Sequence, residues 1–571
     1  MQIVFTNCKL FDPYTDMVYE NVSIVVSKSQ QHVDDGRIVA VYFDKEIPTF
    51  NDEYEIIDLN GDTVVPGFID SHVHCESTLL LPSRTGFIAQ RGTVACIADP
   101  HEITNVLGEY GFNIFIEDSK KSLVDYRFTI PSCVPATDNE TSGARVTSDI
   151  VKKILDNDIE KAKELQKASR FATNCRKVIG LAEVMNVPGT LDPGFVLLQD
   201  ILTESRSLSA HIDGHAPSCN VDVLNKYISA GVKTDHECCD FQELLDRIRR
   251  GMTVLIREGT AGKNAHSLCK GLSSLPRAAT RNVCFCTDDR RIDDIISEGH
   301  IDNIIRIAVQ CGIHIHDALR MASLNPAEHY GLIDYGSIAP GKIGSFCVIK
   351  GPLEECNVSK VYIRGRDIST ALDPIIETPK NANTMNVNMD LVKKSLENAV
   401  FKGPAIGVIP NSLLTTSEDP CGNSLKLVVI ERYTGKSEMG HCLINGITLN
   451  PNSAVASTVA HDSHNIVCVG NTDNAMLMAI QSLVESGGGY SVFSNGFIDV
   501  LPLPIAGLMT TISKQELLES LHHFHSSLLL AGASKDFDLM MTLSFMCLPV
   551  IPKLKLTNKG LFDAEKFQFV H

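Results

Sequence analysis

Between Val64 and Tyr335, short apolar runs alternate with longer segments of helical period, and this alternation is the strongest constraint on the fold. Apolar runs of this length are typical of buried strands, and a helical segment after each one predicts repeated βα units around a parallel sheet. The eight runs are VVPGFID, TVACIAD, YRFTIPS, KVIGLAE, SLSAHID, GVKTDHE, MTVLIRE and NVCFCTD. Eight such units predict an α/β fold, a closed (β/α)8 barrel of the TIM type.

The segments that flank the predicted barrel have a different pattern. Short alternating runs at the start, such as QIVFTNCKLF and NVSIVVS, predict a small antiparallel β unit. The strands GSFCVIKG and SKVYIRGR after the barrel would complete this unit as a small β-sandwich, and DPIIETPKNANTMNVNMD has the composition of a linker. We therefore predict a composite β domain at 1–64 and 336–375, a barrel at 65–335 and a C-terminal α+β domain at 376–571.

Composition and charge argue against several classes of function. The 51 Lys and Arg against 69 Asp and Glu give a formal charge of −18, which repels nucleic acid and anionic membranes. The start, MQIVFTNCKLFDP, lacks the features of a secretory signal, and no run approaches the about 20 apolar residues of a membrane span. The 18 cysteines show no disulfide-like spacing. We expect a cytoplasmic homo-oligomer that acts on a small molecule.

Two histidines, His72 and His74, follow the first apolar run in the segment GFIDSHVHCEST. Side chains at positions i and i+2 of a strand point to the same side, so both imidazoles can bind one ion. Taken alone, such a pair is more often found at a surface or at the edge of a core. In a barrel of this type, however, side chains beyond the C-terminal strand ends converge on one mouth. The pair is therefore the first candidate for a metal site.

Further side chains with ligand chemistry follow the later strands. They are Asp99, His101 and Glu102 after the second, Glu183 after the fourth, His211, Asp213 and His215 at the fifth, Asp235, His236 and Glu237 after the sixth, Arg257 and Glu258 after the seventh, and Asp288 and Asp289 after the eighth. Their recurrence at the same strand ends favours a metal centre. A set of histidines and carboxylates suits zinc, manganese or iron.

Two acids are predicted to act at this centre. Glu183, in GLAEVMNVPG, is a candidate bridge, because its two oxygens can each bind one ion of a hydrolytic pair. The alternative for Glu183 is a loop acid or a charge at a helix N-terminus. Asp288, in FCTDDR, is predicted to bind a metal and to accept a proton, with Asp289 as the second choice. The alternative for both is a helix N-cap pair.

His215 in DGHAP and His236 in TDHE are the predicted imidazole ligands from the fifth and sixth strands. His211 shares a strand face with His215 and competes for the same role. We prefer His215, because Gly214 and Pro217 indicate a loop at the barrel mouth, whereas His211 is expected within the strand.

These residues, in this order, resemble the amidohydrolase superfamily, and within it the bacterial-type adenine deaminase family. The resemblance rests on PGFIDSHVHCEST, ADPHEITNVLG, LAEVMNVPG, DGHAP, GVKTDHE, IREGTAGKN and CTDDR. It continues beyond the barrel through AHDSHNIVCVG, LPLPIAGLM and MTLSFMCLPVIPKLKLTNKGLFD. It covers nearly the whole chain and is much more specific than a lone H-x-H pair.

The resemblance implies hydrolysis of adenine to hypoxanthine and ammonia by a metal-activated hydroxide, at a two-metal site usually occupied by manganese or iron, with zinc left open. Carried onto this chain, it implies a role for each of six residues: His72 and His74 bind one ion, Glu183 bridges, His215 and His236 bind the other ion, and Asp288 binds a metal and acts as the base.

The same resemblance gives weaker indications for further residues. Arg257 and Glu258 match a family segment near the purine, and a second group is a candidate for an additional ion: Asp99, His101 and Glu102. In the C-terminal domain His464 is a candidate to reach over the barrel mouth, although a structural turn fits the sequence equally well.

Three alternatives remain at this point. One is another barrel hydrolase acting on a different aminopurine or on a cyclic amide, but relatives of the latter kind usually bridge their metals with a carboxylated lysine where this chain offers Glu183. A cytidine-deaminase fold is disfavoured because the chain has no P-C-x-x-C motif. A non-catalytic scaffold of the same fold would be expected to have lost ligands, whereas all six are present.

Overall fold

The computed structural model describes residues 2–28, 36–168, 176–369, 371, 374, 377–380, 382–410 and 412–570. The predicted boundary between residues 375 and 376 lies outside the described residues. The chain begins with five strands: β1 (Gln2–Asp12), β2 (Met17–Ser27), β3 (Ile38–Phe43), β4 (Tyr54–Asp58) and β5 (Thr63–Pro66).

Eight strands follow, each within or overlapping one of the eight apolar runs. They are β6 (Phe68–Val73), β7 (Thr93–Ala98), β8 (Asp125–Ile130), β9 (Val178–Val184), β10 (His211–Gly214), β11 (Thr234–Asp235), β12 (Thr253–Arg257) and β13 (Val283–Cys286). All neighbouring pairs are parallel, in one sheet ordered β10-β9-β8-β7-β6 and a second ordered β11-β12-β13.

Backbone hydrogen bonds link the edges of these two parallel sheets. At one junction, the Lys233 N–H donates to the Ile212 carbonyl at 3.0 Å. At the other junction, Val73 and Asp288 form a parallel bridge, and the Asp288 N–H donates to the His72 carbonyl at 2.9 Å. The sheet therefore curls back on itself and brings the ends of its strands to one face.

Helices cover the outside of these strands. They are α1 (Gly86–Ala89), α2 (His101–Leu107), α3 (Glu109–Ser119), α4 (Ser148–Ala168), α5 (Val187–Leu191), α6 (Val196–Ser207), α7 (Val221–Ser229), α8 (Phe241–Ile248), α9 (Ala265–Leu272), α10 (Ile292–Ser297), α11 (Ile301–Gln310), α12 (Ile315–Met321) and α13 (Leu324–His329). α4 is amphipathic, with Val151, Leu155 and Ala162 buried and Leu165 exposed.

Three strands after the helical region are β14 (Phe346–Ile349), β15 (Val358–Ile363) and β16 (Arg366–Asp367), and they join the first five in one sheet of order β16-β15-β14-β5-β1-β2-β3, with β4 also on β1. This arrangement corrects two predictions. The strands form one hydrogen-bonded sheet instead of a sandwich, and the sheet is mixed, because β4 and β5 pair parallel with β1 one after the other along its length.

The first apolar run, VVPGFID, was expected to be a single strand, but it is divided between two sheets. β5 belongs to the mixed sheet, β6 begins the parallel sheet, and Gly67 separates them. A Cβ at Gly67 would lie 2.5 Å from Cγ2 of Val94, so only glycine allows the chain to cross so close to β7. The approach of Val94 depends on tertiary packing, which cannot be inferred from a run of apolar residues in the sequence.

The C-terminal part contains α14 (Met389–Asn398), α15 (Asp473–Glu485), α16 (Lys514–Leu530) and α17 (Leu539–Phe545), with strands β17 (Ala405–Val408), β18 (Thr415–Glu418), β19 (Leu425–Ile430), β20 (Met439–Asn445), β21 (Ser453–Ser457), β22 (Ile466–Gly470), β23 (Gly489–Ser494), β24 (Phe497–Pro502), β25 (Leu554–Thr557), β26 (Gly560–Asp563) and β27 (Gln568–Phe569). Eight of these strands form one sheet, ordered β18-β17-β20-β19-β22-β21-β23-β24.

The C-terminal part packs directly against the region of parallel strands. Buried apolar side chains of both, including Ile69, Ile505 and Met540, belong to one continuous core cluster. The Thr510 N–H also donates to the Leu79 carbonyl at 2.9 Å. Segments distant in sequence therefore cover the face on which the strands end. No helix in the described part of the chain is long and apolar enough to cross a membrane.

Candidate metal centre

All six residues predicted as metal ligands lie at the same ends of the parallel strands, and all six are buried. His72 and Glu183 are the penultimate residues of β6 and β9. The other four follow directly on, or within two residues of, the ends of β6, β10, β11 and β13: His74, His215, His236 and Asp288. The order of the strands in the sheet thus brings together residues that are up to 216 positions apart in the sequence, from 72 to 288.

The Glu183 carboxylate lies at the centre of the cluster and contacts four imidazoles. Its Oε1 lies 3.5 Å from His74 Nε2 and 3.4 Å from His101 Nδ1. Its Oε2 lies 2.7 Å from His215 Nδ1 and 3.1 Å from His236 Nε2. The two oxygens therefore face two different pairs of rings, which is the arrangement that a carboxylate bridging two cations requires.

The pair His72 and His74 is arranged for shared binding of a cation. Their Nε2 atoms are 3.1 Å apart, and His74 Nε2 is 3.0 Å from Asp288 Oδ1. His74 Nδ1 lies 2.9 Å from the Asp99 carbonyl, which can only accept a hydrogen bond, so the proton of a neutral ring sits on Nδ1. The lone pair on Nε2 is then available for a metal, because the backbone contact sets the tautomer.

Asp288 is held between this pair and an arginine. Arg257 Nη1 donates to Asp288 Oδ2 at 2.8 Å and also contacts Glu237, while its Nη2 lies 3.3 Å from Glu237 Oε2. Burial by itself raises the pKa of Asp288, but Arg257 and the hydrogen bonds from His72 and His74 outweigh burial and hold that pKa well below its usual value. The Asp288 side chain is therefore an anion at neutral pH.

Glu183 is ionised for a similar reason. Burial acts to raise its pKa, and the charges and hydrogen bonds of His215 and His236 lower the pKa well below the usual range. For His72, burial is the largest effect and lowers the pKa, which leaves the imidazole neutral. Ionised carboxylates and neutral imidazoles are the protonation states that bind divalent metals. Burial acts to lower the pKa of His74, His215 and His236, but neighbouring carboxylates outweigh burial and raise it, so a cation that binds these rings would displace their protons. The residue types of this donor set fit a cation.

Of the further residues that the sequence suggested near the site, some contact the Glu183 cluster and others do not. His101 contacts Glu183 directly, and Asp99 Oδ2 lies 3.0 Å from His101 Nδ1. Both carboxylate oxygens of Glu102 are buried beside these rings without a hydrogen-bond partner. Arg257 contacts the cluster through its hydrogen bond to Asp288. The Glu258 carboxylate is engaged elsewhere, since its Oε2 accepts a hydrogen bond from the Ala265 N–H at 3.1 Å.

His464 does not reach the Glu183 cluster. Its Nδ1 accepts a hydrogen bond from the Ala460 N–H at 3.1 Å, within the same turn. Two neighbours in the turn, His461 and Asp462, point towards the strand ends instead, where Asp462 Oδ1 lies 3.6 Å from His101 Nε2. Which face of this turn points inward depends on the packing of the C-terminal part, and the segment AHDSHN carried no signal that distinguishes its two histidines.

Glu237 is a further member of the site to which the sequence assigned no role. Its Oε1 lies 3.7 Å from both His215 Nδ1 and His236 Nε2. The only signal for it was its position directly after His236. Of the two alternatives weighed against predicted ligands, His211 contacts His329, with their Nε2 atoms 2.9 Å apart. Asp289 lines the same cavity as the cluster and accepts a hydrogen bond from Ser77.

Two neighbouring spaces lie over the cluster. A cavity of about 30 Å³ is bordered by the cluster and by Leu413 and Ile551 of the C-terminal part, and it has room for water molecules only. A cleft of about 740 Å³ shares four of its lining residues: Glu237, Arg257, Leu413 and Ile551. These four residues therefore border both the small cavity and the larger cleft.

Two family models match this chain, the amidohydrolase family over residues 63–368 and the adenine deaminase C-terminal domain over residues 410–568. An adenine deaminase of Nitratidesulfovibrio vulgaris (strain DP4) is 36% identical, with 97% of this chain and 96% of the relative covered. An adenine deaminase of Bacillus subtilis (strain 168) is 34% identical over 100% of this chain and 96% of its own.

The chain belongs to the adenine deaminase family. It is a hydrolase of the amidohydrolase type, and such enzymes use a divalent metal. Among solved structures, a beta-aspartyl dipeptidase from Fervidobacterium islandicum AW-1 matches with a TM-score of 0.46 and 17% identity, covering 67% of this chain and 100% of that chain. Among the described residues, the Glu183 cluster includes several of the groups of buried donors that suit a metal ion.

Proposed function

We propose that this enzyme hydrolyses adenine to hypoxanthine and ammonia at a site that holds two divalent cations. Family membership supports the reaction, since relatives named adenine deaminase match over nearly the full length of the chain. The observation that carries the proposal is the position of Glu183, whose Oε1 lies 3.5 Å from His74 Nε2 while its Oε2 lies near His215 and His236.

His72 joins this set through its Nε2, which lies 3.1 Å from His74 Nε2. His72 and His74 would hold one cation, His215 and His236 the other, with Glu183 shared between them and Asp288 beside the first pair. Manganese or iron suits this set of imidazoles and carboxylates, and zinc accepts the same ligands. When bound, the cations acidify water and stabilise the negative charge that develops during attack on the purine ring.

Asp288 is the proposed general base. Its carboxylate is ionised at neutral pH and lies at the edge of the cluster, so Oδ1 can accept a proton and pass it to the ring or to the departing amine. Arg257 keeps this carboxylate ionised and fixes its orientation through the bond to Oδ2. Glu237 holds Arg257 from the other side, so the three side chains form one positioned unit.

The fold supports this placement of the residues. We infer that β6 to β13 form a closed (β/α)8 barrel, because the two parallel sheets are linked at both edges. We also infer a composite β domain from residues 1–64 and 336–375, a barrel from 65–335, and a C-terminal domain from 376–571. In this arrangement the C-terminal domain closes the mouth of the barrel.

Adenine would enter from the 740 Å³ cleft. The cavity over the cluster holds only about 30 Å³, which is too small for a purine, so Leu413 and Ile551 would move aside to admit it. Both are apolar, and once back in place they exclude bulk water from the site.

The decisive experiment incubates the manganese- or iron-loaded protein with adenine, adenosine and a dihydropyrimidine, and follows ammonia release. We expect turnover of adenine alone. Turnover of adenosine without adenine would contradict the proposed substrate, and hydrolysis of the dihydropyrimidine would assign the chain to the cyclic amide hydrolases. A protein that holds no transition metal and shows no activity with any added metal would exclude the enzymatic proposal.

A further inference from the structure

A second group of buried donors lies where the C-terminal part meets the barrel strands. It consists of His101 and Glu102 at the start of α2, and His461 and Asp462 from the turn between β21 and β22. All four are at least nine-tenths buried. The group adjoins the Glu183 cluster without being part of the six-residue set described above.

The Glu102 carboxylate is unusual in having no hydrogen-bond donor on either oxygen although it is buried. In the described part of the chain, the partners of Glu102 and Asp462 within 4.0 Å are histidines, with no lysine or arginine among them. A buried side chain whose polar oxygens have no hydrogen-bond partner costs free energy. A bound cation would remove this cost.

The spacing of the donor atoms fits a single ion. Glu102 Oε1 lies 3.6 Å from His101 Nε2 and 3.6 Å from His461 Nδ1, and Asp462 Oδ1 lies 3.6 Å from His101 Nε2. One donor atom from each of His101, Glu102 and His461 lies within 4.8 Å of the others. These separations are longer than a hydrogen bond. They match the distance between two ligand atoms of one ion, which is roughly 3.3–3.6 Å when the metal–ligand bonds are about 2.0–2.2 Å in a tetrahedral site.

The tautomer of His101 is set for this role. Its Nδ1 lies 3.0 Å from Asp99 Oδ2, a hydrogen-bond acceptor for the proton of a neutral ring. In that tautomer Nε2 is the nitrogen available to a metal, and it lies 3.6 Å from both Glu102 Oε1 and Asp462 Oδ1. A carboxylate that holds one ring nitrogen while the other binds a metal is a recurrent feature of metal sites.

The C-terminal side of the site is also held in place. The His461 ring stacks on Phe545, with centroids 4.5 Å apart and planes 15° apart, and the His461 N–H donates to the Ser544 carbonyl at 3.0 Å. Asn465 Nδ2, at the end of the turn, donates to the Thr141 carbonyl at 2.8 Å. The donors are thus positioned before any ion binds, which favours binding.

We propose that His101, Glu102, His461 and Asp462 form an additional site for one divalent transition-metal ion, which joins the C-terminal domain to the barrel. The ion is separate from the pair proposed at the Glu183 cluster. Because its ligands come from both sides of the interface, it would hold the turn at 460–465 over the barrel mouth.

The test is a comparison of metal content. Wild-type protein and the His461→Phe variant are stripped of metal, loaded with excess Mn²⁺, freed of unbound metal by gel filtration, and analysed for metal per chain. Phenylalanine keeps the stack on Phe545 and removes the nitrogen donor, and His523→Phe, at an exposed position on α16, is the matched control. We expect three ions in wild type and in the control, and two in His461→Phe.

A difference of one ion per chain between wild type and His461→Phe decides whether the additional site exists. The number of ions that His461→Phe still holds reports on the Glu183 cluster. Equal metal content in wild type and His461→Phe would overturn the additional site, and a change from one ion to none would support it while counting against the proposed two-metal centre. If His461→Phe fails to fold, crystals of Mn²⁺-loaded wild type give the answer by anomalous scattering. A peak between His101, Glu102 and His461 supports the site, and its absence refutes it.

A second readout follows the tether itself. Hydrogen exchange of the amides in 458–466 should slow at least tenfold when Mn²⁺ is added to the metal-free wild type. In His461→Phe the added metal should leave exchange in this segment nearly unchanged, while His523→Phe should behave as wild type. Equal protection in wild type and His461→Phe would contradict a metal link between the two parts.

Discussion

Replacement of Arg257 by methionine tests how the site keeps its carboxylates ionised. The Arg257 side chain is buried and touches Glu237 and Asp288, and methionine fills a similar volume without a charge. Removal of one partner from a buried ion pair costs about 3–5 kcal/mol, because the remaining charges lose their compensation. We expect the metal-loaded variant to lose about 3 kcal/mol and the metal-free variant about 5 kcal/mol, since cations would compensate part of the exposed negative charge.

The same substitution should change the pH dependence of the site. Arg257 is the largest of the influences that lower the pKa of Asp288. A depressed carboxyl pKa contributes stability that is present above the unfolded value near 3.8 and is lost as the pH falls through the folded value. Without Arg257 the depression shrinks, so this loss begins at a higher pH. The acidic limb of the rate profile should move up by about one pH unit or more.

Thermal unfolding with and without Mn²⁺, together with a pH–rate profile, measures both effects. At roughly 2 °C per kcal/mol for a domain of this size, the melting temperature should fall by about 6–10 °C. Lys152→Met is the matched control, because Lys152 pairs with Glu204 at an exposed position and its loss should cost about 0–1 kcal/mol. The double variant Arg257→Met/Glu237→Gln should recover part of the loss. A stability within 1 kcal/mol of wild type and an unchanged acidic limb would refute this account of Arg257.

Three further substitutions test separate parts of the molecule. Glu183→Gln should lower the content of one metal or both and abolish turnover, as measured by elemental analysis and ammonia release, and full activity would remove Glu183 from the site. Asp288→Asn should retain much of the metal while turnover falls about 10²–10⁴-fold, and a near-normal rate would reject the role of base. Burial lowers the pKa of Lys555 from 10.5 to about 7. Between pH 7 and pH 10.5 this side chain is protonated in the unfolded chain but not in the folded one, so the stability of the wild type rises with pH in this range. The free-energy difference between wild type and Lys555→Met, from urea unfolding across this window, should therefore change by about 3–5 kcal/mol, and a difference independent of pH would contradict the burial argument.

Much of the parallel sheet was predictable from local pattern, because a buried strand must be apolar along its whole length. All eight apolar runs contain or overlap a strand, and the residues that follow them do meet on one face. The preference for His215 over His211 also relied on local chemistry, since Gly214 and Pro217 indicate where a strand gives way to a loop. His215 lies beside Glu183, and His211 lies beside His329.

The features that sequence did not predict all depend on contacts between distant segments. The division of the first run at Gly67 results from the approach of Val94, and the replacement of a sandwich by one mixed sheet results from the pairing of β4 and β5 along β1. The role of Glu237 depends on Arg257, which comes from the next strand. Periodicity records whether a residue is buried, but it does not record the neighbour against which that residue is buried.

The sequence by itself determined the βα alternation, the kinds of donor at the strand ends and the family to which the chain belongs, because these depend on residue type and spacing. Tertiary structure alone decided which donors face one another. It turned His461 and Asp462 towards His101 and left His464 bonded within its own turn, although all three lie within four residues. The orientation of that turn is set by packing on Phe545 and Thr141, and no local pattern encodes such contacts.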